Sequence, residues 1–197
     1  MQRLQVSILA VAGALAMTCN AVAQSNSVGL TLTSDRDPDK FENPKNMKYE
    51  LNGAHTFESG VIVGGSSQYN DRVFSDRTRE NLEGTLGYRV AINTVLSATS
   101  SAGVGEHWRQ HPSAAFPYYV LRVAVDLEVN RTITWNVVSF RYRDAFNPSE
   151  HYNTPQIATG FTFKIDEKNA ISAKVMRNWR NGAPSSTGVS LGWRLRF

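Results

Sequence analysis

Residues 188–197 read GVSLGWRLRF, and their alternation decides the fold. Val189, Leu191, Trp193, Leu195 and Phe197 fall on one side, and Gly188, Ser190, Gly192, Arg194 and Arg196 on the other. Side chains of a β-strand point alternately to opposite faces, whereas those of a helix return about every 3.6 residues. The stretch is therefore a strand with one apolar face. It ends on an aromatic residue, where a water-soluble domain ordinarily has a frayed polar tail.

The same period recurs upstream. Tyr119, Leu121, Val123, Val125, Leu127 and Val129 alternate with Tyr118, Val120, Arg122, Ala124, Asp126 and Glu128. Comparable runs lie near residues 28–33, 47–57, 61–69, 82–90, 96–109, 133–143, 156–165 and 171–179, giving about ten segments, with eight or twelve as the alternatives. In the 133–143 run the apolar side passes from Ile133, Trp135 and Val137 to Phe140 and Tyr142, so a β-bulge is expected near Val138-Ser139.

Connections between the runs alternate in length. Short turns are expected at residues 58–60, 91–93, 130–131 and 166–169, and longer polar loops at 35–46, 70–79, 110–116, 144–153 and 181–186. Tyr49, Tyr69, Trp108, Tyr119, Tyr142 and Trp179 lie toward the long loops, and Phe57, Phe163 and Phe197 toward the short turns. An even number of antiparallel strands, alternating loop lengths and two aromatic girdles describe a transmembrane β-barrel of the bacterial outer-membrane type. A secreted β-sandwich alternates similarly, but it needs neither girdles nor a terminal aromatic residue.

The N-terminus agrees. Residues 1–23 combine Arg3, an apolar stretch from about Val6 to Met17, and Ala21-Val22-Ala23, the pattern of a cleaved secretory leader. Residues 24–197 then form one barrel domain exported through the periplasm. The single cysteine, Cys19, lies in the leader, so disulfides and thiol chemistry are not expected in the mature chain. The chain carries 21 Lys+Arg and 17 Asp+Glu. An excess this small does not indicate a nucleic-acid partner.

Where apolar faces meet lipid, polar faces line a lumen. The inward cations include Arg89, Arg109, Arg122, Arg141, Arg143, Lys174 and Arg194, with Glu50, Glu83, Asp126 and Glu128 as counter-charges. Two readings stay open: the charges neutralise one another across a narrow interior, or the cationic surplus attracts anions as rings of Arg and Lys do in anion pores. Ten tilted strands enclose a cylinder of about 10 Å radius, which long side chains fill or leave as a thin channel.

Three stretches, RENLEGTLGYR (79–89), YYVLRV (118–123) and SFRYR (139–143), set inward arginines beside outward aromatic residues. In this the chain resembles the oligogalacturonate-specific monomeric porin family. The resemblance implies a small barrel with an arginine-rich lumen that admits acidic oligosaccharides; it also implies twelve strands, where the alternation yields about ten. The run Val189, Leu191, Trp193, Leu195 and Phe197 likewise resembles the C-terminal signal read by the barrel-assembly machinery. Outer-membrane lipid and lipopolysaccharide are the remaining expected partners. The rival expectation is a closed structural or adhesive barrel acting through its extracellular loops.

No enzyme is read from the sequence. The four histidines are His55, His107, His111 and His151. Ser149-Glu150-His151 contains the residue types of a hydrolytic triad, yet three consecutive loop residues do not converge on one reacting atom. His151-Tyr152-Asn153-Thr154 also lacks the serine of the His-x-Ser-Asn pattern expected of outer-membrane lipid deacylases. No cysteine, histidine or carboxylate cluster has metal-ligand spacing, and no glycine-rich phosphate loop is present. No metal or cofactor is expected.

Overall fold

The computed structural model describes residues 23–73, 78–110 and 113–197. The leader expected at residues 1–23 lies, but for Ala23, outside the described residues, as do Cys19 and His111. Ten strands run β1 (Ala23–Arg36), β2 (Pro44–Phe57), β3 (Val61–Arg72), β4 (Thr78–Ala91), β5 (Leu96–Arg109), β6 (Ala114–Glu128), β7 (Ile133–Ala145), β8 (Gln156–Lys164), β9 (Asn169–Arg180) and β10 (Ala183–Arg196). Each pairs antiparallel with its sequence neighbour, and β1 pairs with β10 to close the barrel. Beyond β10 the seam gains one more step: Asn26 N–H donates to the Phe197 carbonyl at 2.9 Å, and Phe197 N–H donates to the Asn26 carbonyl at 3.0 Å.

The apolar faces point outward. Leu86, Val104, Leu121, Val175 and Leu191 are among the most exposed large side chains. Such exposure suits a surface solvated by hydrocarbon, where backbone groups must be paired within the chain and only a closed sheet pairs them all. Trp135 and Phe161 stack outside at 6.2 Å between ring centroids, as direct cross-strand neighbours.

The bulge lies where the phase changes. Val125 pairs with Val138, but Asp126 pairs with Asn136, so Val137 is the extra residue. The register toward β8 shifts over the same positions. That one residue keeps Trp135 outward below it and Phe140 outward above it, and turns Arg141 and Arg143 inward.

Three of the four short turns share one device. Asn93 Oδ1 accepts from the backbone N–H of Val95 and Leu96 at 3.0 and 2.8 Å, and Asn130 Oδ1 from Thr132 and Ile133 at 2.9 and 2.8 Å. Asp166 Oδ1 does the same for Lys168 and Asn169 at 2.7 and 2.6 Å. A short polar side chain thus replaces the strand partner that the turning backbone has lost. The fourth turn uses Gly60 instead, at φ 87°.

The long-loop expectation needs correction. Strands β1 to β7, β9 and β10 have 12 to 15 residues, more than the roughly 9–11 a tilted strand needs to cross hydrocarbon, so the sheet continues past the apolar belt. Among the described residues, the first loop shrinks to 37–43 and the last to 181–182, while the fourth keeps its length and moves to 146–155. The last, expected over 181–186, is a two-residue turn with Asn181 at φ 50° and Gly182 at φ 81°, the conformation that suits the twist of a tight hairpin. Polar composition suggests a loop there, but backbone pairing above the membrane is indifferent to side-chain polarity.

Candidate functional site

The inward positions enclose two cavities. The one toward the loop end has a volume of about 350 Å³ and is walled by Lys45, Lys48, Arg72, Arg79, Arg141, Arg143 and Arg180, with Asp35 as its one carboxylate. The one toward the middle, about 380 Å³, is walled by Lys48, Arg122, Arg141 and Lys174, with Glu50 as its one carboxylate. Lys48, Gln68 and Arg141 line both and mark the junction.

The junction cations differ in their pairing. Lys48 Nζ sits 2.5 Å from Asp35 Oδ2. Arg141 makes no ion pair among the described residues, and its Nε is buried with no hydrogen-bond partner. Gln68 between them donates to Glu50 Oε2 at 2.9 Å and accepts from Asn81 at 3.2 Å and from Arg143 at 3.3 Å.

One wall is packed rather than open. Glu83 is 3% exposed; its carboxylate pairs with both Arg122 and Arg143 and accepts from the Tyr118 hydroxyl at 2.8 Å. The Arg143 guanidinium also lies over the Tyr118 ring at 5.8 Å. Beside them Phe116, Tyr118, Val120, Ala145 and Tyr152 form a buried apolar cluster inside the barrel. Tyr152 reaches in from the 146–155 loop, packs against His107 and Tyr118 at 4.6 and 5.2 Å, and donates to Asn81 Oδ1 at 2.9 Å. His107 Nδ1 lies 2.8 Å from the same oxygen.

The remaining residues singled out from the sequence are spread along the lumen. Arg109 pairs with Glu150 at 3.5 Å at the loop end, its guanidinium 6.0 Å from the Phe116 ring centroid. Arg89 donates to Ser97 Oγ at 3.0 Å at the turn end. Lys174 lines the middle cavity. Neither Lys174 nor Arg194 has an ion-pair partner among the described residues.

Among the counter-charges, only Glu83 bridges inward arginines. Glu50 takes Gln68, and Asp126 accepts from Asn136 at 2.8 Å. Glu128 faces Lys164 at 3.7 Å at the mouth. Of the salt-bridged interior expected as one reading, the β4–β7 side holds the Glu83 network and β1–β2 the separate Lys48–Asp35 pair, while amide side chains reach Glu50 and Asp126 instead. On the outer wall, Val189, Leu191, Trp193 and Phe197 are exposed and Leu195 is half-buried.

Ser149, Glu150 and His151 do not converge. Ser149 donates to Asn147 Oδ1 at 2.9 Å, Glu150 faces Arg109, and His151 closes the short 3-10 turn Pro148–Glu150 with a left-handed backbone. Sequence reasoning missed Arg72, Arg79 and Arg180, which it left in loops or unassigned. Extending the period-two alternation beyond the apolar belt would have placed them inward. Tyr118 was placed inward, but its role as a buried hydroxyl partner of Glu83 follows only from distance in space.

No protein-family model matches this chain, and no curated protein sequence matches it. Solved structures do. The chain is similar to the NanC porin, with 7% identity and a TM-score of 0.53 over 85% of this chain and 98% of that one. It is similar to the translocator domain of the autotransporter NalP from Neisseria meningitidis, with 7% identity and a TM-score of 0.52 over 100% and 95%. The KdgM porin aligns at 15% identity, with a TM-score of 0.48 over 87% and 99%. At such identities the likeness is one of fold: this chain is a closed ten-stranded β-barrel of the outer-membrane type.

Proposed function

We propose that this barrel is a narrow channel of the bacterial outer membrane that favours small anionic solutes, acidic oligosaccharides among them. The observation that carries the reading is the wall of the loop-end cavity, with seven basic side chains against the single carboxylate of Asp35. Uncompensated cations around a confined aqueous space raise the local concentration of anions and speed their entry. The free Arg141 guanidinium and Lys48 then meet the solute at the junction of the two cavities. The chemistry is electrostatic attraction without bond making.

The rival reading is a closed barrel working through its loops, and the apolar cluster around Tyr118 and Tyr152 favours it. Single-channel recording in a planar bilayer separates the two. The channel reading expects stable conductance steps and, under a salt gradient, a reversal potential on the anion side. A silent bilayer, with heat-modifiable gel migration demonstrating a folded barrel, overturns it. On the channel reading, Val189 to Phe197 engage the assembly machinery during insertion, and outer-leaflet lipopolysaccharide surrounds the belt.

A further inference from the structure

On the outer wall, the apolar belt stops abruptly across three adjoining strands. Ser34 of β1, Val189 of β10 and Val175 of β9 are direct cross-strand neighbours, and the two valines are exposed. The next outward positions toward the loop end are Arg36, Thr187 and Arg177, again direct neighbours. At about 3.4 Å per residue, this second row stands about 7 Å beyond the first. Two arginines therefore flank Thr187, two strand spacings or about 10 Å apart, where hydrocarbon gives way to headgroups.

Both guanidiniums are oriented, yet neither is neutralised. Arg177 Nη1 donates to Thr187 Oγ1 at 2.7 Å and to the Pro38 carbonyl at 3.0 Å, which leaves Nε and Nη2 free to donate. Arg36 Nε donates to Ser34 Oγ at 3.2 Å, and its Nη1 approaches the Glu42 carbonyl at 3.4 Å. Every one of these acceptors is a hydroxyl or a backbone carbonyl. Neither arginine makes an ion pair among the described residues. The Arg36 guanidinium also lies 5.8 Å from the exposed Phe41 ring.

The surrounding charges make this face distinct. The nearby 37–43 loop carries Asp37, Asp39 and Glu42 as well as Lys40, but Asp37 turns its carboxylate onto the backbone N–H of Asp39 and Lys40 at 3.0 and 3.1 Å. Elsewhere at this end the outward charges are acidic: Asp71 on β3, Glu80 on β4, Glu106 on β5 and Asp144 on β7. Positive charge on the strands of the outer wall at this end is thus carried by β1 and β9, on either side of Thr187 of β10.

We propose that Arg36 and Arg177 form an external binding site for the phosphorylated headgroup of an outer-leaflet lipid such as lipopolysaccharide. Guanidinium forks match phosphate oxygens in a way that ammonium groups do not. The acyl chains of such a lipid run down over Val175, Val189 and Leu32, while its phosphate rests on the arginine row. The site faces away from the lumen and stands whether or not the barrel conducts.

The test uses the refolded residues 24–197 in detergent micelles, with native mass spectrometry reading retained lipid. The probes are bis-phosphorylated lipid A, its dephosphorylated form and inorganic pyrophosphate. The expected result is retention of the phosphorylated lipid over the dephosphorylated one, and at least a tenfold loss in Arg36→Gln/Arg177→Gln. Arg131→Gln/Lys168→Gln, with the same loss of charge at the exposed turn end, should bind as wild type does. If the double variant fails to show heat-modifiable migration, Arg177→Lys keeps the charge but removes the fork and should still weaken retention several-fold. Equal retention of both lipids, or equal retention by wild type and variants, overturns the site. Pyrophosphate binding as tightly as the lipid overturns the headgroup assignment.

Discussion

Arg143 of β7 and Glu83 of β4 meet across the inside of the barrel, although two strands separate them in the sheet. Their contact is a chord rather than a rung, and it shuts the Tyr118 side chain of β6 behind it. Arg122 joins the same carboxylate. Removing Glu83 leaves two guanidiniums facing each other over an apolar cluster, and a buried pair that loses one partner costs about 3–5 kcal/mol. Glu83→Gln should therefore lower the thermal transition of the refolded barrel markedly, with Glu83→Gln/Arg143→Met recovering much of the loss. Unchanged melting in the single variant would show that the chord contributes nothing to stability.

Arg141 and Arg122 line the same cavity but should behave differently. Arg122 is already matched by Glu83, whereas Arg141 has no carboxylate within ion-pair distance among the described residues. One charge acting at about 8 Å through water is worth about 0.5 kcal/mol, a roughly twofold effect on ion preference. In reversal-potential measurements Arg141→Gln should lower the anion-to-cation permeability ratio by about that factor and leave melting unchanged. Arg122→Gln should move selectivity less. The opposite order would remove the free guanidinium from its proposed role.

Tyr152 joins the packed wall to the 146–155 loop. Tyr152→Phe forfeits the bond to Asn81 at a cost of about 1 kcal/mol. Tyr152→Ala also empties the space beside His107 and Tyr118, at about 3–5 kcal/mol for an aromatic truncation. Single-channel conductance should rise in the alanine variant and stay near wild type in the phenylalanine variant. Equal conductance in all three would place the solute path away from this side chain.

Deleting Val137 should be far better tolerated than deleting Val123. Val137 is the extra residue, so its removal sets Asn136 and Val138 side by side opposite Asp126 and Val125, and leaves Phe140 outward and Arg141 and Arg143 inward. Deleting Val123 from β6, which carries no extra residue, instead turns Arg122 or Asp126 toward lipid, and a lipid-facing arginine costs about 2–4 kcal/mol at the bilayer midplane. On refolding into vesicles the heat-modifiable band should persist in the first variant and be lost in the second. Its loss on deleting Val137 would mean that the bulge itself is needed for closure.

Acid should loosen the 165–168 turn before the sheet. Hydrogen bonds from the Asn169 side chain, and then from the Asn169 and Lys168 backbone N–H groups, hold the Asp166 carboxyl below its ordinary value. A carboxylate whose value is lowered by folding contributes stability above its unfolded value and loses it as pH falls through the folded one. Hydrogen exchange at Lys168 and Asn169 should accelerate, after correction for intrinsic rates, as acid protonates Asp166. In Asp166→Asn that pH dependence should vanish.

The parts of the fold that repeat along the chain were legible in the sequence. Period two across ten segments marked the strands and their lipid faces, and the phase change after Val137 marked the bulge. What escaped depends on meetings across empty space. Alternation places Glu83, Tyr118, Arg122 and Arg143 inward without indicating which of them touch. It also treats an inward Val120 or Tyr118 as lumen lining, whereas the structure buries both in an internal apolar cluster. Loop lengths were misjudged at residues 181–186 because Ser185, Ser186 and their neighbours are polar, although strands above the membrane carry polar residues freely.

The seam between β1 and β10 bears on how such a barrel comes into being. Its first strand finds its second partner only after all the intervening strands exist, so every shorter intermediate has two raw edges of unpaired amides and carbonyls. Contacts this distant along the chain form slowly, and exposed edges invite pairing with other chains. The molecule is therefore most vulnerable while being made, and its passage from ribosome to membrane is a race between closure and clumping.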